Sequence, residues 1–321
     1  MKTKIIELLK LNEDHIITGT DIAKKLNITR SYVSKVVALL KEEGYNIEII
    51  NRSGYIYHDD YQVINIEKIS KRLINKDIFT ITVLDKVNST NTYLKELTSI
   101  DNTKIQVVIA NEQTNGVGRM SRHFVSNRGK GIYMSIRFKP NFSLETTKKV
   151  TACVSVAIAK AIDNLCNTNV SIKWVNDIYI NNKKICGILS TGSTNLELGI
   201  LDYMIVGIGI NLYHQEFPEE LKDIASSIYD ETKVIVDRSN LIGEVLNEIL
   251  KALETIETND FITTYRNKSN VIGHMVELSM FDHTEIVKVL DIDDDAKLVV
   301  EKDGKIKKIY SGEIQRMRLK I

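Results

Sequence analysis

Between Gln113 and Leu144 the chain carries six cations, Arg119, Arg122, Arg128, Lys130, Arg137 and Lys139, and no acid. Over the whole chain the signs balance, with 43 Lys and Arg against 42 Asp and Glu and 26% of residues charged. An acid-free run of this length points to phosphate or another anion. It opens on Gln113-Thr114-Asn115-Gly116-Val117-Gly118-Arg119. Glycines lack a side chain, so the backbone N–H groups of such a loop can come close to an anion.

A second set of polar residues stands where a strand should be apolar. Lys173-Trp174-Val175-Asn176-Asp177 interrupts the run from Val170 to Ile180, and Lys184 ends a hairpin turn over Asn181–Lys184. Buried polar groups are costly unless they are paired or used. Ser89-Thr90-Asn91 sits between a strand pattern, Phe79–Leu84, and a helical one, Thr92–Leu97. Taken alone it reads as a helix cap.

Other chemistries are excluded by spacing. No G-x-x-x-x-G-K-[ST] run exists, and Gly207-Ile208-Gly209-Ile210-Asn211-Leu212 lacks the third glycine of a dinucleotide fingerprint. Three widely spaced cysteines and six scattered histidines support neither a disulfide framework nor a zinc site. Asp291–Asp295 fails as a calcium loop, with Ala296 at the glycine position and Lys302 at the glutamate position, and reads as a solvated turn.

These residues need elements to hold them. A length of 321 residues allows two or three domains. At the N-terminus, Thr18-Gly19-Thr20-Asp21 caps a short helix, and Thr29 or Ser31 caps a second with Val33, Val36, Val37 and Leu40 on one face. Strand-like Tyr45–Ile50 and Tyr55–Tyr57 then flank a turn at Asn51–Gly54. This order resembles a winged helix-turn-helix domain over residues 1–60. Arg30, Ser31, Tyr32, Ser34 and Lys35 are then expected to face DNA, with Arg52 on the wing reaching the backbone. Residues 1–60 hold nine Lys/Arg and nine Asp/Glu, so DNA affinity must rest on a few placed cations and on dimerisation. A small helical bundle for protein contact is the bland alternative.

Residues 61–77 read as a connecting amphipathic helix, and 61–270 as a mixed α/β catalytic body with helices over 151–165 and 238–256. Short alternating strands over 271–321, with a hairpin turn at Asp303-Gly304, fit a small SH3-like barrel. The expected fold class is therefore α+β. The absence of a long apolar run and of a signal-peptide pattern leads us to expect a cytoplasmic protein without a membrane.

Ser89-Thr90-Asn91, Gly116-Val117-Gly118-Arg119, Lys173-Trp174-Val175-Asn176-Asp177, Lys184-Ile185-Cys186-Gly187 and Gly207-Ile208-Gly209-Ile210-Asn211 occur in this order. Together they resemble the biotin protein ligase family. With the N-terminal module they resemble its bifunctional ligase and biotin operon repressor members, over almost the whole chain.

The resemblance implies ATP-dependent formation of biotinyl-5′-adenylate and transfer of biotin to a lysine of a biotin carboxyl carrier protein. It implies biotin contacts from Ser89, Thr90, Asn91, Gln113, Gly116, Val117, Gly118, Arg119 and Lys184. Arg119, Arg122, Asn176, Lys184 and Asn211 are implied on the ATP or adenylate side, and residues 214–228 over the adenine. Lys184, Arg119, Arg122 and Asp177 are the implied catalytic residues, with Asp177 orienting the acceptor lysine or a magnesium ion. Mg²⁺ is expected with ATP, and no protein-held metal. The adenylate would also act as corepressor, promoting a homodimer on operator DNA. Two positions depart from the family pattern: Val117 replaces an arginine and Val175 a proline. The first leads us to expect Arg122 or Arg128 to take over part of a phosphate contact. Related alternatives are a ligase without repression, a repressor with a degenerate ligand domain, and a lipoate–protein ligase. The winged helix and Lys-Trp-Val-Asn-Asp favour biotin.

Overall fold

Thr18 and Asn65 start helices by the same means. The Thr18 hydroxyl accepts the Asp21 N–H at 3.0 Å, and the Asn65 side chain accepts the N–H groups of Glu67 and Lys68 at 2.9 and 3.2 Å. Each satisfies backbone donors that the first helical turn leaves without partners. The computed structural model describes residues 1–12, 15–42, 45–51, 53–57, 61–98, 101, 103–195, 200–280 and 283–318. The chain forms two compact units, Met1–Tyr61 and Gln62–Ile321.

The first unit contains helices α1 (Lys2–Leu11), α2 (Gly19–Leu26) and α3 (Arg30–Glu42) and an antiparallel hairpin of β1 (Ile47–Ile50) and β2 (Gly54–Tyr57). Val33, Val36, Val37 and Leu40 form the buried face of α3 and join Ile5, Leu9, Ile22 and Ile47 in one core. The opposite face leaves Arg30, Ser31, Tyr32, Ser34 and Lys35 exposed. Arg52 lies outside the described residues.

The second unit begins with α4 (Ile66–Arg72), which is shorter than the helix predicted over 61–77. Asn65 fixes its start. Asn247 ends it, donating to the Arg72 carbonyl at 2.9 Å and accepting the Ile74 N–H at 3.0 Å. A side chain 175 positions away thus supplies the bonds that further helix would have made.

A seven-stranded sheet follows. Its strands are β3 (Phe79–Val87), β4 (Ile105–Gln113), β5 (Gly131–Phe138), β6 (Ser171–Lys173), β7 (Asp177–Ile180), β8 (Lys183–Asn195) and β9 (Ile200–Asn211). Their spatial order is β3-β4-β5-β9-β8-β7-β6, with β3/β4 parallel and the other pairs antiparallel. Helix α5 (Thr90–Glu96) packs on β4, β5 and β9; α6 (Val150–Cys166) packs on β8 and on α8 (Arg238–Glu254). Between β9 and α8 runs α7 (Ile228–Thr232), and α9 (Asp260–Lys268) follows α8.

The last segment is a five-stranded antiparallel sheet of β10 (Met275–Ser279), β11 (Thr284–Ile292), β12 (Leu298–Lys302), β13 (Lys305–Ile309) and β14 (Glu313–Arg318), in the order β13-β12-β11-β10-β14. The expected α+β class is what the chain adopts. The Asp293 carboxylate accepts the N–H groups of Asp295 and Lys297, so the acidic run is a hydrogen-bonded turn. Among the described residues, no helix is long and apolar enough to cross a membrane. No group of three metal-ligating side chains exists among them either.

Candidate active site

Strand register lays a floor with no side chains. Gly187 of β8 stands opposite Gly209 of β9, and Gly207, two residues back on the same face, stands opposite Ser135 of β5. The bare backbone is filled from above. A Cβ on Gly209 would sit 2.5 Å from the Phe124 ring, and one on Gly207 would sit 2.5 Å from the Asn91 amide. Side chains at either position would expel those groups. Above this floor lies a cavity of about 290 Å³.

One wall is a buried polar relay at the start of α5. The Ser89 hydroxyl caps the helix, 3.5 Å from the Thr92 N–H. Gln113 Oε1 accepts from the Thr90 N–H at 2.8 Å and from its hydroxyl at 3.1 Å, while Gln113 Nε2 donates to Ser126 Oγ at 3.0 Å. Ser135 lies 2.6 Å from the Thr90 hydroxyl and donates to Asn91 Oδ1 at 2.7 Å. Ser135 is fully buried within the apolar stretch 132–136 of β5. Its signal in the sequence is the lone serine of Ile-Tyr-Met-Ser-Ile.

The glycine loop is a small hairpin. Val117 bridges His123, Gly118 N–H donates to the Arg122 carbonyl at 2.8 Å, and Phe124 N–H to that of Gly116 at 2.8 Å. Val117 and Gly118 line the cavity; Gly116 sits behind it, where a Cβ would strike the Phe124 carbonyl at 2.6 Å. Arg119 and Arg122 flank the hairpin tip and line the cavity. Arg119 donates to Asn176 Oδ1 at 3.3 Å and to the Gly312 carbonyl at 3.0 Å, and Arg122 pairs with Glu313.

The other cations of the acid-free run are elsewhere. Arg128 makes two bonds of 2.5 Å to Asp85, and Arg137 donates to the Leu94 and Leu97 carbonyls and lies 3.7 Å over the Tyr203 ring. This corrects the expectation that Arg128 shares the phosphate load. Its counter-ion comes from the end of β3, far away in sequence, so local composition could not reveal it.

Lys173–Asp177 does not interrupt one strand, as expected, but turns the chain from β6 into antiparallel β7, and residues 174–176 of that turn are held by hydrogen bonds. Trp174 Nε1 donates to the Ala296 carbonyl at 3.0 Å, and the Val175 carbonyl accepts from the Tyr265 hydroxyl at 3.0 Å. Asn176 Nδ2 donates to the Ile188 carbonyl at 2.9 Å. The Trp174–Val175 peptide bond is cis. Asp177 Oδ1 lies 2.8 Å from Lys184 Nζ, but the contact lacks hydrogen-bond geometry and that buried oxygen accepts no hydrogen bond. The pair is therefore held by charge alone. Lys184 lies over Gly187, and its main chain is clamped by Ile224 O at 2.8 Å and Ser226 N at 3.0 Å. That clamp places Ile224 and Ala225, with Phe217 and Leu221, on the cavity wall near Asn211.

Lys173, to which the resemblance assigns no role of its own, is a further cation in the cavity. Burial pushes its ammonium below the usual lysine range; Asp177 opposes this and Lys184 adds to it. The lining thus holds four fixed cations, Arg119, Arg122, Lys173 and Lys184, against two carboxylates, Asp177 and Glu313. Such a site suits a ligand carrying more than one negative charge.

Three family models match the chain: an HTH domain over residues 2–56, the biotin/lipoate A/B protein ligase family over 83–211, and the biotin protein ligase C-terminal domain over 271–317. The bifunctional ligase/repressor BirA of Bacillus subtilis (strain 168) is 31% identical over 98% of this chain and 98% of its own. The chain belongs to the bifunctional ligase/repressor family of biotin protein ligases. The Escherichia coli (strain K12) member of this family is 27% identical over 97% of this chain and 95% of its own. Among solved structures, the biotin protein ligase from Aquifex aeolicus in complex with biotin and ATP has a TM-score of 0.64 and 28% identity. It covers 74% of this chain and 98% of that one. Within the family pattern, the cavity gathers Ser89, Thr90, Asn91, Gln113, Val117, Gly118, Arg119, Arg122, Asn176, Asp177, Lys184 and Asn211, and leaves Gly116 just behind its lining.

Proposed function

We propose that the cavity joins biotin to ATP as biotinyl-5′-adenylate and then passes the biotinyl group to one lysine of a biotin carboxyl carrier protein. The observation that carries this reading is the concentration of four cations over a glycine floor beside a buried amide-and-hydroxyl relay. The relay suits the uncharged polar head of biotin; the cations suit a carboxylate and phosphates brought together.

In the first step a biotin carboxylate oxygen attacks the α-phosphorus, a P–O bond forms, and pyrophosphate leaves with the electron pair. Both reactants are anions, so the step needs fixed positive charge where they meet. Lys184 holds the carboxylate and, later, the acyl-phosphate oxygen, exchanging Asp177 for the ligand. Arg119, Arg122 and Lys173 face the phosphates. Asn176 holds Arg119 in line, and Asn211 borders the adenine. Ser89, Thr90, Asn91 and Gln113, with the hairpin Gly116–Arg119, enclose biotin. In the second step the lysine nitrogen attacks the acyl carbon and AMP departs.

Mg²⁺ arrives with ATP, bound through phosphates and water. Both cavity carboxylates already face cations, so the donor set does not fit a resident metal, and no step is assigned to one.

The residues divide into 1–60 for operator DNA, 61–270 for catalysis and 271–321 for the terminal sheet. Arg30, Ser31, Tyr32, Ser34 and Lys35 read the operator, with Arg52 on the wing. Adenylate acts as corepressor by favouring a dimer-competent state, which requires that it bind that state more tightly. ATP-dependent transfer of labelled biotin to a carrier domain tests the reading. Incorporation at one lysine supports it; lipoate incorporation in its place would assign the site to the lipoate class.

A further inference from the structure

Glu313 is out of character for the site it lines. Both ligands of the adenylation step are anions, and a carboxylate beside their phosphates works against them. Asp177, the other carboxylate, is accounted for by Lys184 and turns a buried oxygen toward it. Glu313 pairs instead with Arg122, whose side chain is 56% exposed, so this pair stands on the solvent side of the cavity. The neighbouring Gly312 carbonyl holds Arg119, which fixes the start of β14 against the hairpin. The field of Glu313 also reaches Lys173 and Tyr179 inside the cavity.

An exposed ion pair is weak and exchanges partners readily. When phosphate takes Arg122, the carboxylate is left without its cation, at the side from which a macromolecular acceptor must enter. One reactant is a cation: the ε-ammonium of the acceptor lysine.

We infer that Glu313 is a positioning residue for the acceptor lysine, masked by Arg122 until adenylate forms and then free to receive the ammonium. This rests on the ligase reading above. Glu313 binds the ammonium before attack. The ammonium first sheds one proton to solvent, which frees the nitrogen lone pair; the N–C bond then forms as the acyl C–O bond to phosphate breaks, AMP leaves with the electron pair, and the second proton passes to solvent. The pairing also orders the two steps, since an acceptor lysine meets a masked carboxylate until phosphate is in place.

The test separates the two half-reactions in the full-length protein. Biotin-dependent exchange of pyrophosphate into ATP by the wild-type chain comes first; its absence sinks the ligase reading itself. Given exchange, Glu313→Gln removes both the competitor for Arg122 and the site for the ammonium. The expected result is a KM for ATP several-fold lower in exchange and a KM for the carrier domain about ten-fold higher in transfer, with Glu313→Asp restoring much of the latter. An unchanged carrier KM in Glu313→Gln overturns the inference. So does an equal fall of both half-reactions that Glu313→Asp does not relieve, which marks Glu313 as structural only.

Discussion

Lys184 Nζ and Asp177 Oδ1 lie 2.8 Å apart in the lining of the cavity, joined by charge but not by a hydrogen bond. The Asp177 side chain is 20% exposed and that of Lys184 28%, so the pair is partly desolvated and screened only in part. A ligand carboxylate that offers Lys184 good geometry replaces a contact that lacks it. The same ammonium can therefore be held ready and still be available.

Lys184→Ala is expected to lower the rate of biotin-dependent pyrophosphate exchange by about 10²–10³, the usual loss when a donor to developing charge is removed. Asp177 also loses its counter-ion, so the variant should lose stability as well. Exchange rates and a thermal melt on the same preparation check both effects.

Gly207→Ala should weaken biotin binding by ten-fold or more. Its Cβ would stand 2.5 Å from the Asn91 amide, and moving Asn91 breaks the relay through Ser135 and Thr90 to Gln113. Overpacking of this kind costs about 1–3 kcal/mol. Calorimetry with biotin alone measures the loss, and an unchanged affinity would place biotin away from the relay.

Much of this arrangement was legible in the sequence. The spacing of Val33, Val36, Val37 and Leu40 marked the buried face of α3, and the polar residues within an apolar run marked Lys173–Asp177, though as the β6–β7 turn and not as one strand. What remained hidden depended on distant partners. Asp85 removes Arg128 from the phosphate group, and Asn247 cuts short the helix expected over 61–77. β8 runs on through Ser190–Asn195, beyond the apolar stretch, because β9 pairs with it along that length. Pairing, not propensity, sets the end of such a strand.

The pH dependence should expose Lys173. Burial lowers its proton affinity in the folded chain, so its charge is lost at a lower pH than that of an ordinary lysine. Exchange that depends on this cation should therefore fall on an alkaline limb below the usual lysine value. In the same window the unfolded chain binds more protons, so the contribution of Lys173 to stability rises as pH increases. Lys173→Arg keeps the charge to higher pH, and its alkaline limb should move upward. A limb unmoved in Lys173→Arg assigns the titration to another group.

In the first unit, Arg30→Ala and Lys35→Ala should each weaken operator binding and reduce its salt slope by about 1, if each meets a phosphate. Pyrophosphate exchange should be unaffected, since neither residue lines the cavity. Binding titrations at several salt concentrations check the slopes. An unchanged slope in both variants would assign this exposed helix face to protein contact.

The most direct test of the central claim is incorporation of labelled pyrophosphate into ATP by the purified full-length chain, with and without biotin. The expected result is exchange that requires biotin and is lost in Lys184→Ala. Exchange without biotin, or none under either condition, would contradict the claim that this cavity makes biotinyl-adenylate.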